Sequence, residues 1–288
     1  MSTIKNYFIM LRPKHWLKNL IIIIPYILYG KYDIFFLPNL FIGFVSFSFL
    51  ASGGYILNDI KDVDKDRLHP KKKYRPIANG LVNVKVSFIL SSLLIFISFL
   101  LSFYISINTL CISICYFILN LFYSNIGKKI RFFDILFLST FYIIRIYYGS
   151  IISNIELTGW FIVTITFIVF SLSINKRYME CKNSNFEKIP GRDYNTNDKI
   201  FLQILMINFS VASIVLLNIH AYFVLNITSI LFYFLINITS ICILFLYFDE
   251  HMNSSDDPVE RILHNKPLLL IVVFFVCTYI YELIQFRK

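Results

Sequence analysis

Long apolar runs broken by short, charge-rich stretches set the rhythm of this chain. In order, the runs cover about residues 17–30, 38–58, 83–106, 108–124, 132–152, 157–178, 200–219, 223–248 and 267–286. A helix needs about 20 apolar residues to cross the hydrocarbon core of a bilayer, and only the first and fourth runs are short of that. The pattern predicts an all-α membrane protein of nine transmembrane helices with its polar groups gathered at one end. Pro25 predicts a kink in the first helix, and Pro38 marks the start of the second. Residues 1–16, where Lys5, Arg12 and Lys14 alternate with Tyr7, Phe8, Leu11 and Trp16, predict an interfacial amphipathic segment, with the basic character reaching Lys18. No composition shift divides residues 1–288, so one integral membrane domain is expected, its transmembrane bundle running over 17–286. The first four and next four runs each have a polar loop two runs in, but their similarity is too weak to define a repeat.

Composition agrees. Only 15% of the 288 residues are charged, where a soluble domain carries nearer a quarter, and the mean hydropathy is +0.68. A net charge of +10 in a soluble protein would point to nucleic acid. Here placement argues otherwise. All Lys and Arg residues except Lys31, Arg145, Arg287 and Lys288 fall on the side of the amino terminus and of the loops after spans two, four, six and eight. The positive-inside rule then puts every polar loop in the cytoplasm, at the inner membrane. No nucleic-acid partner is needed to explain the charge. The five cysteines form neither a zinc pattern nor a disulfide framework. The amino terminus has no cleavable-signal pattern.

The informative polar stretch is GGYILNDIKDVDKDRLHPKKKYRPIANG, residues 53–80. On a continuous helix with Asp59 at 0°, Asp62 falls at about −60°, Asp66 at about −20° and Asn58 at about −100°. Asp64 lands at about 140°, away from that stripe. A basic run follows, Arg67 to Arg75. Carboxylates on one face next to cations suit a divalent ion and a diphosphate, because magnesium takes one or two protein carboxylates and completes its shell with phosphate oxygens and water. The alternative is a solvated mixed-charge loop that only sets topology.

At NDIKDVDKD followed by HPKKKYRP the chain resembles the UbiA superfamily of intramembrane transferases. The match at Asn58, Asp59, Asp62 and Asp66 is position for position. The resemblance implies a nine-helix bundle whose NDxxDxxxD motif, in the loop after helix two, binds magnesium diphosphate. Relatives also carry a DxxxD motif after helix six; this chain has Lys176, Arg177, Tyr178, Met179 and Glu180 there. A second diphosphate-binding metal cluster is therefore not expected, and a cationic patch suits an anionic second substrate. LRPKHWLKNL (11–20), YSNIGKK (123–129), the span over 134–150 and KRYME (176–180) resemble the decaprenyl-phosphate phosphoribosyltransferase branch. That branch implies transfer of 5-phosphoribose from 5-phosphoribosyl 1-diphosphate to a polyprenyl phosphate, giving a lipid-linked pentose for cell-envelope glycan. The resemblance also implies an assembly of several chains.

The lipid phosphate is already an anion, so no strong general base is required, and none of His15, His69, His220, His251 and His264 is placed as one. The demand is electrostatic. Asp59 and Asp62 lead as Mg2+ ligands, with Asn58 and Asp66 supporting. Lys73 and Arg75 would hold the diphosphate or the 5-phosphate. Lys18, Lys128, Lys176 and Arg177 would hold the lipid phosphate or the 5-phosphate; for Lys14, Lys18 and Lys128 the alternative is anionic lipid headgroups. Arg145, inside the fifth span, must face the interior, there to donate to substrate phosphate or Tyr123, or to pair with Glu156 or a carbonyl. Two other classes of function stay in view. One is prenyl transfer to an aromatic acceptor, against which the missing DxxxD counts. The other is a transporter or scaffold, against which the one-sided charge counts.

Overall fold

The computed structural model describes residues 2–29, 33–68, 72–183, 189, 192–248, 262 and 265–285. His69, Lys71 and most of the polar loop before the last helix lie outside the described residues. The helices in chain order are α1 (Ser2–Met10), α2 (Ile24–Tyr29), α3 (Phe36–Lys61), α4 (Val63–Leu68), α5 (Val84–Ile105), α6 (Ile107–Asn125), α7 (Phe133–Ile152), α8 (Gly159–Lys182), α9 (Lys199–Phe223), α10 (Ile230–Phe248) and α11 (Lys266–Gln285). No strand occurs among the described residues. Six of the predicted spans, those of α3, α5, α6, α7 and α8 and the stretch Thr196–Phe223, are long and apolar enough to cross a membrane. Their outward faces carry large apolar side chains, such as Phe88, Phe96 and Phe103 down α5. So much exposed apolar surface is stable only against lipid. The chain is an integral membrane protein.

Caps fix several ends. Asn83 accepts from the Lys85 and Val86 amides, Ser106 from Thr109 and Thr158 from Phe161, each satisfying a donor that the first helical turn leaves orphaned. The predicted first span departs most from expectation. Pro13–Ile23 forms a long 3-10 segment, and α2 follows. Pro25 is then the second residue of α2, where a missing N–H costs nothing, and the change of helix type sits just before it.

The chain packs as two compact units. The first comprises residues 1–25, 33–126 and 144–155. Its frame is α3 against α5 and α6, with the 3-10 segment alongside α3. Met10 of α1 is buried with Ile56, Ile77, Val82 and Leu94, so the predicted interfacial segment also has an inward anchor. Ser46, Ser98, Ser102, Ser113 and Tyr148 bond to one another inside the bundle, pairing hydroxyls that lipid would leave unsatisfied. Two glycines allow close approach. A Cβ on Gly53 would meet Ile95 at 2.6 Å, and one on Gly149 would lie 1.8 Å from the Ile22 carbonyl oxygen. Because the Gly149 obstacle is backbone, Gly149→Ala is expected to cost about 3 kcal/mol, read as an early melt in detergent. Gly159→Ala, with nothing near its Cβ, should melt close to wild type.

The second unit comprises residues 26–32, 127–143 and 156–288. It pairs α8 with α9 and α10 with α11. One core gathers Ile135, Ile174, Tyr178, Met179, Tyr194, Leu202 and Met206; another gathers Ala221, Ile227, Phe232, Ile236 and Tyr279.

Candidate active site

The acidic motif does not lie on one unbroken helix. α3 ends at Lys61, Asp62 caps it with φ −93° and ψ 11°, and α4 begins at Val63. Backbone bonds from Asp62 N to Asn58 O and from Asp66 N to Asp62 O carry the turn across the break, so the predicted stripe survives in part. Asp59 and Asp66 are buried at 4% exposure each. Asp62 and Asn58 are half-buried, and Asp64 points to solvent as its angle implied.

What brings Asp59 and Asp66 together is Arg75. Its Nη1 donates to Asp59 Oδ1 at 2.9 Å and to Asp66 Oδ2 at 2.6 Å. The two oxygens are thus at most two hydrogen-bond lengths apart, with a cationic nitrogen between them. The local chain explains its delivery. Pro76, Ile77 and Ala78 are buried just after it, and Ile77 packs with Ile56 and Leu94. Lys73 is exposed, 5.2 Å from the Tyr74 ring centroid.

Arg12 completes the cluster. Its Nη2 donates to both Asp59 oxygens, at 2.7 and 2.6 Å. The rest of the LRPKHWLKN stretch has anchoring roles. Trp16 Nε1 donates to Ser52 Oγ at 2.9 Å, Ser52 Oγ donates to the Leu11 carbonyl at 2.8 Å, and Asn19 Nδ2 donates to Ser48 Oγ at 3.0 Å. Asn19 Oδ1 accepts from Arg145 Nε at 2.8 Å, and Arg145 Nη2 donates to Tyr116 OH at 2.9 Å. Arg145 is 5% exposed and packs over the Phe47 and Tyr116 rings. It faces the interior as expected, with Asn19 and Tyr116 as partners that the sequence did not indicate. Lys18 and Tyr123 are half-buried in this first unit, on the 3-10 segment and near the end of α6.

The other predicted cations belong to the second unit. Lys128 is half-buried in a 3-10 turn, Gly127–Lys129. Lys176 and Arg177 stand not in a loop but on the last turns of α8, which runs on to Lys182. Arg177 is fully buried. It pairs with Asp134 through Nε and with Glu180 through Nη1 at 2.6 Å. Arg192 adds bonds to Glu180 at 2.9 Å and Asp134 at 3.4 Å. Tyr194 OH donates to Asp134 Oδ1 at 2.6 Å and accepts from Phe132 N at 2.9 Å. Burial first, and then the Asp134 charge, push the Tyr194 phenol well above its ordinary range, so it stays a donor. Arg131 pairs with Asp198 beside it. The sequence reading missed Arg12, Asp134, Arg192 and Tyr194. Only the Arg177–Glu180 spacing of three, one helical turn, was a usable signal for this network.

A hard divalent cation fits the donor set of the first unit. Asp59 and Asp66 already share one cationic nitrogen, Asp62 stands one turn from each, and Asn58 directly precedes Asp59. Among the described residues no three His, Cys, Asp or Glu side chains converge on one point. Magnesium usually takes one or two protein carboxylates and completes its shell with substrate oxygens and water, a demand that Asp59 and Asp66 suit.

The chain is thus an all-helical membrane bundle with carboxylates and guanidiniums clustered at a helix break. Residues 19–265 match the UbiA prenyltransferase family. The chain belongs to that family. It is 34% identical over 175 residues to a decaprenyl-phosphate phosphoribosyltransferase of Corynebacterium glutamicum, covering 59% of this chain and 53% of that protein. It is 32% identical over 174 residues to the protein of that name from Mycolicibacterium smegmatis, covering 59% and 55%. The chain thus spans about half the length of the curated relatives it matches. A UbiA homolog from Archaeoglobus fulgidus, solved bound to GPP and Mg2+, superposes with a TM-score of 0.71 at 19% identity, covering 96% of this chain and 99% of that one.

Proposed function

We propose that this chain transfers 5-phosphoribose from 5-phosphoribosyl 1-diphosphate to a polyprenyl phosphate. The observation that carries the reading is the likeness, near one third identity, to enzymes named for that reaction, joined to a carboxylate pair suited to a metal diphosphate. The bond from ribose C1 to the diphosphate oxygen breaks, and a bond from C1 to a lipid phosphate oxygen forms, with inversion at C1. The acceptor is anionic throughout, so no proton has to be removed. Bound Mg2+ would neutralise charge on the departing diphosphate. Asp59 and Asp66 would hold it, with Asn58 and Asp62 in support. Arg75 and Lys73 bind the diphosphate or the 5-phosphate, Arg75 through a planar fork suited to two phosphate oxygens. Lys18, Lys128 and Lys176 serve the remaining phosphates. Arg177, enclosed by carboxylates, organises the end of α8 rather than touching substrate. Nine crossings, with the polar loops on the cytoplasmic side of the inner membrane, give the water-soluble donor access.

The second reading is prenyl transfer from a prenyl diphosphate to an aromatic acceptor, favoured by the family's name and by relatives solved with GPP and with DMAPP. A donor screen separates the two. Purified protein with decaprenyl phosphate should release diphosphate from 5-phosphoribosyl 1-diphosphate in Mg2+ and not in EDTA. Release from prenyl diphosphates alone, with transfer to a hydroxybenzoate, would establish the second reading and remove the first.

A further inference from the structure

Asp59 accepts three hydrogen bonds from two guanidiniums. Arg12 takes both of its oxygens and Arg75 takes one of them again. The two guanidiniums do different work. Arg75 bridges two carboxylates, so it has a reason to be there whatever happens at Asp59. Arg12 spends its Nη2 on the two oxygens of Asp59. At the paired oxygens themselves, the charges of Asp59 and Asp66 are matched by those of Arg12 and Arg75, with Asp62 one turn away. A bare divalent ion approaching Asp59 would meet two positive charges within bonding distance of its ligand oxygens, and that repulsion is strong where water is scarce.

The backbone at Arg12 cannot withdraw to relieve it. Ser52 of α3 bonds to the Leu11 carbonyl on one side of Arg12 and to the Trp16 indole on the other. Between these staples Arg12 adopts a left-handed turn, φ 53° and ψ 57°. The side chain can move. It is 22% exposed, and its guanidinium carbon lies 5.0 Å from the Tyr55 ring centroid, a neutral face that stabilises a cation without a carboxylate.

We propose that Arg12 is a displaceable internal cation at the metal position of Asp59, which makes the site refuse a bare divalent ion and admit one only together with an anionic diphosphate. The inference rests on the reading of the first unit as a metal–diphosphate site. The diphosphate brings the negative charge that the cluster lacks, so ion and anion enter as one. Arg12 thereby sets specificity for the metal complex over the free metal, by a side-chain rotation with the stapled backbone in place.

Mn2+ held by the full chain in detergent, measured by equilibrium dialysis with any diphosphate present in both chambers, tests this. Wild type should take Mn2+ weakly alone and strongly with inorganic diphosphate. Arg12→Gln should bind Mn2+ alone about tenfold more tightly or better, the scale on which one neighbouring charge moves a carboxylate's affinity for a cation. That gain should vanish when Asp59→Asn is added. An Arg12 that merely supports the fold would on removal weaken Mn2+ binding with and without diphosphate. Equal or weaker binding of Mn2+ alone by Arg12→Gln overturns the proposal. Should that variant fold poorly, Arg12→Met removes the same charge and keeps the apolar stem, and its Mn2+ affinity should rise likewise; no rise there overturns the proposal equally. The donor reading fails separately: if inorganic diphosphate raises Mn2+ uptake and the Arg12→Gln gain is seen, but 5-phosphoribosyl 1-diphosphate with decaprenyl phosphate releases no diphosphate, the role of Arg12 stands and the donor assignment falls.

Discussion

Asp59→Asn should abolish turnover and also lower stability before any substrate is added, whereas Asp62→Asn should affect function alone. Asp59 is 4% exposed and is the counter-ion of Arg12 and Arg75. Breaking a buried pair by removing one partner costs about 3–5 kcal/mol, because the other charge is left uncompensated. Here the loss is softened. The Asn carbonyl still accepts a bond, and Arg75 keeps Asp66 at 2.6 Å. A cost of about 2–4 kcal/mol remains, seen as a melting temperature lower by roughly 10 °C in EDTA. Asp62 is half-buried at the helix break, and its substitution should stay within about 1 kcal/mol. On the chemistry, losing one preorganised electrostatic partner of a developing charge costs at least about a hundredfold in rate. Diphosphate release from Asp59→Asn should fall at least that far even at saturating Mg2+. Unchanged melting would mean that Asp59 does not tie Arg12 to α3; unchanged turnover would remove Asp59 from the site.

The sequence exposed this hub only halfway. That Asp59 and Asp66 share a face while Asp64 does not followed from 100° per residue, and the structure has both buried and Asp64 in solvent. The break at Asp62 was not visible, because no Gly or Pro marks it in NDIKDVDKD. Arg12 stands in the family-like LRPKHWLKNL segment, yet its partner is 47 residues away. Local periodicity carries no information on such a distance. The same holds for Arg145 and Asn19, 126 residues apart: insertion energetics demanded an inward charge without naming what would receive it. The six strong spans were legible because hydrophobic length is a local property. The 3-10 segment at Pro13–Ile23 was not, since its packing on α3 is tertiary. The end of α8 was hidden for a related reason: the apolar run stops near residue 178, but the helix continues through a turn whose charges face one another.

Arg177→Met is the change expected to cost the second unit most. Its guanidinium is fully buried and joins Asp134, itself fully buried, to Glu180. With Arg177 gone, Arg192 must neutralise both acids from 3.4 and 2.9 Å while one fifth exposed. The uncompensated charge should cost about 3–5 kcal/mol, a fall of roughly 10 °C in melting temperature. Tyr194 loses its fixed acceptor if Asp134 turns toward Arg192, so the segment it ties to Phe132 should become the first site of proteolysis. Replacing the pair together, Arg177→Met with Asp134→Leu, should recover part of the loss, since two apolar groups leave no orphan charge. Lys176→Met is the contrasting variant. Lys176 is half-buried, and its substitution should leave melting within about 1 kcal/mol of wild type while raising the KM for the lipid phosphate. The assignment of roles turns on that split. If Arg177→Met melts with wild type and changes only the KM for a phosphate substrate, then Arg177 is a substrate-binding cation after all, and the enclosed network at the end of α8 opens in the working enzyme.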